Sequence, residues 1–152
     1  MKKSFQRYAG LLGMLLALSS SAALALTPGQ KLSKDQIAQW GTLVEYTIGN
    51  SRIRVIPPQY SGSAETLLLN AQGVVGSSRN EVVVSKAPAN VQEVIQQTQP
   101  RPTSVQHFDP TSITIAKYAD FEQAVQALDA LKAALPQAKV GLPVQFGKQM
   151  PY

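Results

Sequence analysis

The only histidine of the 152-residue chain, His107, stands two residues before Asp109. On a strand that spacing sends both side chains to one face, which brings an acid and a base together but makes only part of a hydrolytic relay. A triad also needs a nucleophilic hydroxyl on the imidazole and donors arranged around an oxyanion, and the residues near His107 supply no such serine geometry. His107 is therefore expected to be a partly exposed strand residue. The nine acidic residues are scattered, with neither a paired-carboxylate cleft motif nor an oxygen-rich calcium loop. Because the chain has no cysteine, a thiol nucleophile, a disulfide scaffold, a cysteine metal site and a lipid-anchored cysteine are excluded. Gly73 and Gly76 match neither phosphate-binding glycine pattern, so Gly73 reads as a turn residue. No cofactor and no metal is implied, and the chain reads as non-enzymatic.

Other residues are better suited to binding than to turnover. Arg52 and Arg54 lie two apart, hence on one strand face, and with Tyr46 across the Gly49-Asn50 turn they would make a small cationic and aromatic surface for an anion, a sugar or a nucleic acid. The plainer expectation is a solvated outer face opposite Ile53 and Val55. Gln92, Gln96, Gln97 and Gln99 read as an exposed helix back, and Trp40 as a packing anchor. The C-terminal run Gly147 to Tyr152 suits an extended contact with a partner: Gln149, Met150 and Pro151 lead to a terminal Tyr152 large enough to fill a pocket. A frayed terminus is the competing reading of the same run.

A single domain must position these residues. Lys2, Lys3 and Arg7 precede an apolar stretch from Ala9 to Leu18, then small residues and the tripeptide Ala23-Leu24-Ala25; this is the pattern of an export leader, residues 1–25, cut after Ala25. Its removal leaves residues 26–152, enough for one core, and lowers the formal net charge from +5 to +2. Too little basic charge then survives to suggest nucleic acid. With 44% hydrophobic and 15% charged residues the chain is globular rather than disordered, and no apolar run after the leader is long enough to span a bilayer. Stable membrane insertion after cleavage is not expected, and the expected location is the periplasm or the exterior.

Residues 26–79 read as a helix followed by hairpins. Ser33 with Gln36 forms a capping box ahead of Ile37 and Trp40, and Gly41 stands where the helix stops. Thr42 to Ile48 and Ser51 to Ile56 flank Gly49-Asn50 as a hairpin. Leu67-Leu68-Leu69 and Val74-Val75 flank Asn70 to Gly73 as a second hairpin, with a short helix as the alternative for the leucines. Residues 80–146 are more regular. Val82-Val83-Val84 predicts a central strand covered on both faces. Asn90 with Glu93 caps a helix carrying Val91, Val94 and Ile95. Val105 to Phe108 and Ser112 to Tyr118 form a hairpin about Asp109-Pro110. Asp120 with Gln123 opens a long amphipathic helix with Phe121, Ala124, Val125, Leu128, Leu131 and Leu135 on one stripe. Val140, Leu142, Val144 and Phe146 alternate as a last strand, placed at an edge where Pro143 is tolerated. The expected fold class is α+β: a ferredoxin-like split βαββαβ unit with strand order 4-1-3-2 in the C-terminal half, preceded by the short helix and hairpins, with residues 147–152 as a tail.

Residues 81–146 resemble the prodomain and small-inhibitor fold of subtilisin-type serine proteases. The likeness rests on Glu81-Val82-Val83-Val84, Ile113-Thr114-Ile115, the helix end Leu128-Asp129-Ala130-Leu131-Lys132-Ala133-Ala134-Leu135-Pro136 and Ala138-Lys139-Val140. It implies a sheet that packs on a protease and a C-terminal tail in the substrate cleft, so that the domain assists folding and then inhibits. A fainter likeness, through the leader and Ser77-Ser78-Arg79-Asn80-Glu81-Val82-Val83-Val84, is to small exported proteins that accompany secreted adhesins. The expected function is thus binding of another polypeptide, a subtilisin-like protease or, alternatively, an adhesin whose secretion or surface attachment affects biofilm. Small-molecule binding between the N-terminal hairpins and the sheet is the third reading.

Overall fold

The computed structural model describes residues 25–147. Residues 1–24 of the expected leader and Gln149, Met150, Pro151 and Tyr152 of the expected tail lie outside the described residues. The chain is α+β, with two four-stranded antiparallel sheets. Among the described residues no helix is long and apolar enough to cross a membrane.

The first sheet is a meander of β1 (Glu45–Ile48), β2 (Ser51–Val55), β3 (Thr66–Asn70) and β4 (Val75–Ser78), in that order. Its turns are set locally. Gly49 takes φ +59° between β1 and β2. At the next turn the Asn70 carboxamide oxygen accepts from the backbone N–H of Gln72 at 3.0 Å and of Val74 at 2.9 Å. Gly73 follows at φ +78°, a region that glycine enters without steric cost. The leucine run is therefore strand, and both of its faces are covered. Leu67 and Leu69 join Leu32, Ile56 and Val75 under α1 (Lys34–Ala38), which contributes Ile37, with Trp40 just beyond its end. Leu68 points the other way, into a second core with Ile53 and the long helix. The capping box at Ser33 is formed: Ser33 Oγ accepts from Gln36 N–H at 3.2 Å and Gln36 Oε1 accepts from Ser33 N–H at 2.9 Å.

The second half runs β5 (Glu81–Ser85), α2 (Val91–Gln97), β6 (Ser104–Phe108), β7 (Ile113–Lys117), α3 (Phe121–Ala134), β8 (Lys139–Gly141). Its strands are ordered β6-β7-β5-β8, all antiparallel. Both helices pack on one face. Val91 and Ile95 of α2, and Phe121, Ala124, Ala127, Leu128 and Leu131 of α3, meet Val82, Val84 and Ala116 of the sheet in one core. Each large side chain so buried contributes about 1.5 to 3 kcal/mol. Asp120 caps α3 by accepting from Gln123 N–H at 2.8 Å. Ile53 and Leu68 of the first sheet belong to this same core, so the two sheets share it.

Three expectations need correction. Val82-Val83-Val84 is not covered on both faces: Val82 and Val84 are buried, but Val83 is only half-buried and belongs to neither core, because α2 and α3 sit on one side alone. Asn90 precedes α2 without a side-chain hydrogen bond to it, at φ −90° and ψ 18°, away from the extended backbone that turns a cap side chain toward the helix N–H groups. The last strand is short. Continuing the β8–β5 register would set Pro143 opposite Glu81, and proline has no N–H to offer the ladder. The chain instead crosses to the first sheet, where Gln145 and Ser77 exchange backbone hydrogen bonds of 2.8 and 2.9 Å. Residues 29–32 occupy the adjoining stretch of the same β4 edge: Gly29 N–H donates to Val75 O at 2.7 Å, and Val75 N–H donates to Gln30 O at 2.8 Å. Phe146 is laid on Gly76, where a Cβ would come within 2.6 Å of the ring.

Candidate functional site

The helix-free face of the second sheet follows directly from its register. Val83 pairs with Ile115, which pairs with Gln106; one row along, Ser85, Ile113 and Phe108 are partners in turn. Paired residues share a face, so Val83, Ile115, Ile113 and Phe108 form an apolar quartet on the side away from α2 and α3. Three of them are half-buried and Phe108 is 45% exposed. Glu81 and Lys117, paired with each other, and Lys139 at β8 border it. Ser85, Gln106 and Ser104 share the face, so it is an apolar centre with polar and charged neighbours, as a protein-contact surface has. Sequence reading missed this site because it treated Val83 as fully covered; the signal was Phe108 falling on the opposite parity to Val105 and His107.

The arginine site is not assembled. Arg52 and Arg54 do share a face, but Tyr46 pairs with Ile53 on the other side, and its ring meets Phe121 edge-on at 5.6 Å. Glu45, opposite Arg54, approaches Arg52 at 4.0 Å in an exposed ion pair. Arg54 is half-buried and lines a depression with Lys34, Ile37 and Gly73. Trp40 packs on Tyr60 with ring centroids 5.2 Å apart. Gln92, Gln96, Gln97 and Gln99 are exposed, as an outward helix back requires.

His107 sits in a chain of contacts that looks like chemistry and is better explained as structure. Its Nδ1 lies 2.8 Å from Thr114 Oγ1, and its Nε2 lies 3.1 Å from Asp109 Oδ1. The tautomer that serves both partners has Nε2–H donating to the carboxylate while Nδ1 accepts from the threonine hydroxyl. Thr114 is fully buried, so no substrate reaches the hydroxyl, and the arrangement satisfies a polar group under the helices. Among the described residues no group of three or more His, Cys, Asp or Glu is placed to hold a metal ion.

A second concave feature lies between the first sheet and the start of α3. It is a groove of about 410 Å³ walled by Tyr46, Val55, Ile56, Leu67 and Phe121, with the 60%-exposed Val44 at its lip. Glu65, Asp120, Glu122 and Asn80 supply polar groups to it. Burial raises the Tyr46 hydroxyl pKa above its ordinary value, and the nearby Glu122 and Asp120 charges push it further the same way, because a phenolate would be both desolvated and repelled. Comparison with known proteins returns no match: no family model, no curated protein and no solved structure matches the chain.

Proposed function

We propose that this protein is a non-enzymatic, exported polypeptide-binding protein whose contact surface is the helix-free face of the second sheet. In this reading the leader is cut after Ala25 and the chain works in the periplasm or outside the cell. The β5–β8 half is a ferredoxin-like split βαββαβ unit of the kind used by subtilisin prodomains, and the partner is a subtilisin-like protease that it inhibits or helps to fold. The observation that carries the proposal is the quartet Val83, Ile113, Ile115 and Phe108, an apolar surface that neither core uses. The strand order supports the finer fold reading. The pinned segment up to Phe146 supports a role for the residues beyond Gly147, since an anchored base limits the entropy lost when an extended tail binds.

The test is co-purification from the native periplasm with wild type and with a Phe108→Ser/Ile115→Ser double variant, alongside inhibition of a subtilisin-type protease. The proposal expects a protease captured by wild type and lost by the double variant, with both melting at similar temperatures. Equal capture by the variant would remove this face from consideration. Deleting Gly147 to Tyr152 is expected to abolish inhibition with the fold intact, and full inhibition by the truncated chain would reject the tail mechanism. Recovery of a large secreted adhesin in place of a protease would transfer the same surface to an accessory role in adhesin export.

A further inference from the structure

Each sheet has two outer strands, and three of the four edges so formed are occupied or guarded. The β4 edge is taken by residues 29–32 and the segment at Gln145. β1 carries Glu45, and β8 carries Lys139 and ends before Pro143. A charged side chain or a proline on an outer strand discourages pairing with another chain. The fourth edge is β6, which pairs with β7 on one side, and among the described residues no other segment pairs with it. Its residues Ser104-Val105-Gln106-His107-Phe108 include no lysine, arginine, carboxylate or proline. Phe108 O accepts from the Thr111 hydroxyl at 3.2 Å, which closes the strand at its C-terminal end. Alternate residues of an outer strand turn their backbone N–H and C=O away from the sheet, so β6 is an open and unguarded template.

The residues around β6 select what pairs with it. Pro102 and Pro110 stand at equal distances along the chain from Gln106, the middle residue of the strand. Two antiparallel copies related by a two-fold axis at Gln106 therefore pair the whole of β6 and set Pro102 against Pro110 beyond both ends of the ladder. Sliding one copy by two residues would set Pro102 opposite Phe108, or Pro110 opposite Ser104, and proline has no N–H for the ladder. In the centred register Phe108 faces Ser104, a large side chain against a small one. Arg101 precedes the strand and Asp109 follows it, so each copy brings its Arg101 toward the Asp109 of the other. Arg101 is exposed with no acidic partner among the described residues, and the Asp109 side chain, although it meets His107 Nε2 at 3.1 Å, is 94% exposed and open to a second cation. The helix over this end of the sheet adds little charge. α2 packs on β6 and β7, exposes Gln92, Gln96 and Gln97, and holds its one carboxylate, Glu93, against the Gln97 amide at 3.0 Å.

From this we infer that β6 is a self-association edge: a second copy of this chain adds its β6 antiparallel to the first, about Gln106, and makes one continuous eight-stranded sheet. The occupant is a second copy because the proline stops and the flanking charges are complementary to themselves under a two-fold axis, as an isologous interface requires. An unrelated strand has no reason to match both. With the axis normal to the sheet, both helix layers stay on one side and the two apolar quartets lie side by side on the other, Phe108 of each near the seam. The inference does not depend on what that face binds.

The test combines sedimentation equilibrium of the purified protein with cysteine cross-linking, which reads cleanly because the chain has no cysteine of its own. Wild type is expected to reach the mass of two chains. Gln106→Cys should form a disulfide-linked dimer on mild oxidation, since directly opposed residues of antiparallel strands have Cα atoms about 4.5 to 5.5 Å apart, within disulfide range. Thr47→Cys, on the β1 edge, should stay uncross-linked in the same oxidant. Gln106 is exposed in the single chain, so Gln106→Lys should leave its amide spectrum that of a folded protein. By setting two like charges at the axis it should raise the dimer dissociation constant about tenfold. Arg101→Glu and Asp109→Lys should each weaken the dimer, and the two together should restore it toward wild type. The mass of one chain at every concentration, equal cross-linking of the two cysteine variants, or a dimer indifferent to Gln106→Lys would overturn the inference. So would a monomer that takes up an unrelated extended peptide along β6.

Discussion

Leu67-Leu68-Leu69 in β3 and Val82-Val83-Val84 in β5 are the same pattern in sequence and different objects in space. All three leucines are buried, at 4%, 0% and 0% exposure, whereas the central valine of the second run is half-buried on an open face. The difference lies in what covers each sheet. The first sheet is roofed by α1 with the segment before it, and floored by α3; the second has α2 and α3 on one side only. A continuous apolar run therefore marks a central strand in both cases, but it does not say whether the second face is filled by the chain itself or left for something else. In β5 that unfilled face is the proposed binding surface.

The comparison can be broken at its common support. Leu128 lies in the core that contains residues of both sheets, so Leu128→Asp should abolish the cooperative unfolding transition, because an unpaired charge there has no compensating partner. The two triplets can then be separated by size of effect. Leu68→Ala should destabilise by about 3 kcal/mol in urea unfolding, as expected for a large-to-small change in a closed core. Val83→Ala should cost less than about 1 kcal/mol, since its side chain packs in neither core. Comparable losses would mean that the face of β5 is closed after all.

Smaller effects sharpen the picture at the junctions. Gly76→Ala would place a Cβ 2.6 Å from the Phe146 ring and 3.0 Å from Gln145 O. It should cost about 1 to 3 kcal/mol by overpacking and increase hydrogen exchange at Gln145 and Ser77. The mildest test uses alkali. Burial raises the Tyr118 pKa to about 12, above its unfolded value, so this group's contribution to stability is complete below about pH 10 and is lost as pH rises toward 12. Tyr118→Phe should flatten the alkaline limb of the melting temperature and leave neutral pH nearly unchanged.

The parts of the fold that were legible in the sequence are those with local causes. Ser33 and Gln36 close a capping box within one turn, Asp120 caps α3, and Asn70 with Gly73 makes a turn from its own side chain and backbone freedom. Periodicity placed the α3 stripe because 3.6-residue repetition is a property of the segment itself. The parts that were not legible depend on residues distant along the chain. Whether Val83 is covered is decided by where α2 and α3 land, and whether Phe146 prolongs β8 is decided by Pro143 and by an available position beside Ser77. Proximity across a turn sets Tyr46 near Arg52 and Arg54, but pairing parity puts the tyrosine behind the sheet and leaves the arginines on the outer face opposite Ile53 and Val55. The side-chain oxygen of Asn80, between β4 and β5, is buried without a hydrogen-bond partner, a consequence of tertiary burial alone.

The composite edge of β4 carries a topological consequence. Residues 29–32 and the segment around Gln145 both run antiparallel to β4, hence in the same direction as each other, with Gly147 arriving where Gly29 begins; a Cβ on Gly29 would lie 3.2 Å from Gly147 Cα. Together they amount to one interrupted fifth strand. Covalent closure of that gap, with new ends opened at Gly49-Asn50, should give a circularly permuted protein that keeps both cores and turns the interruption into continuous chain.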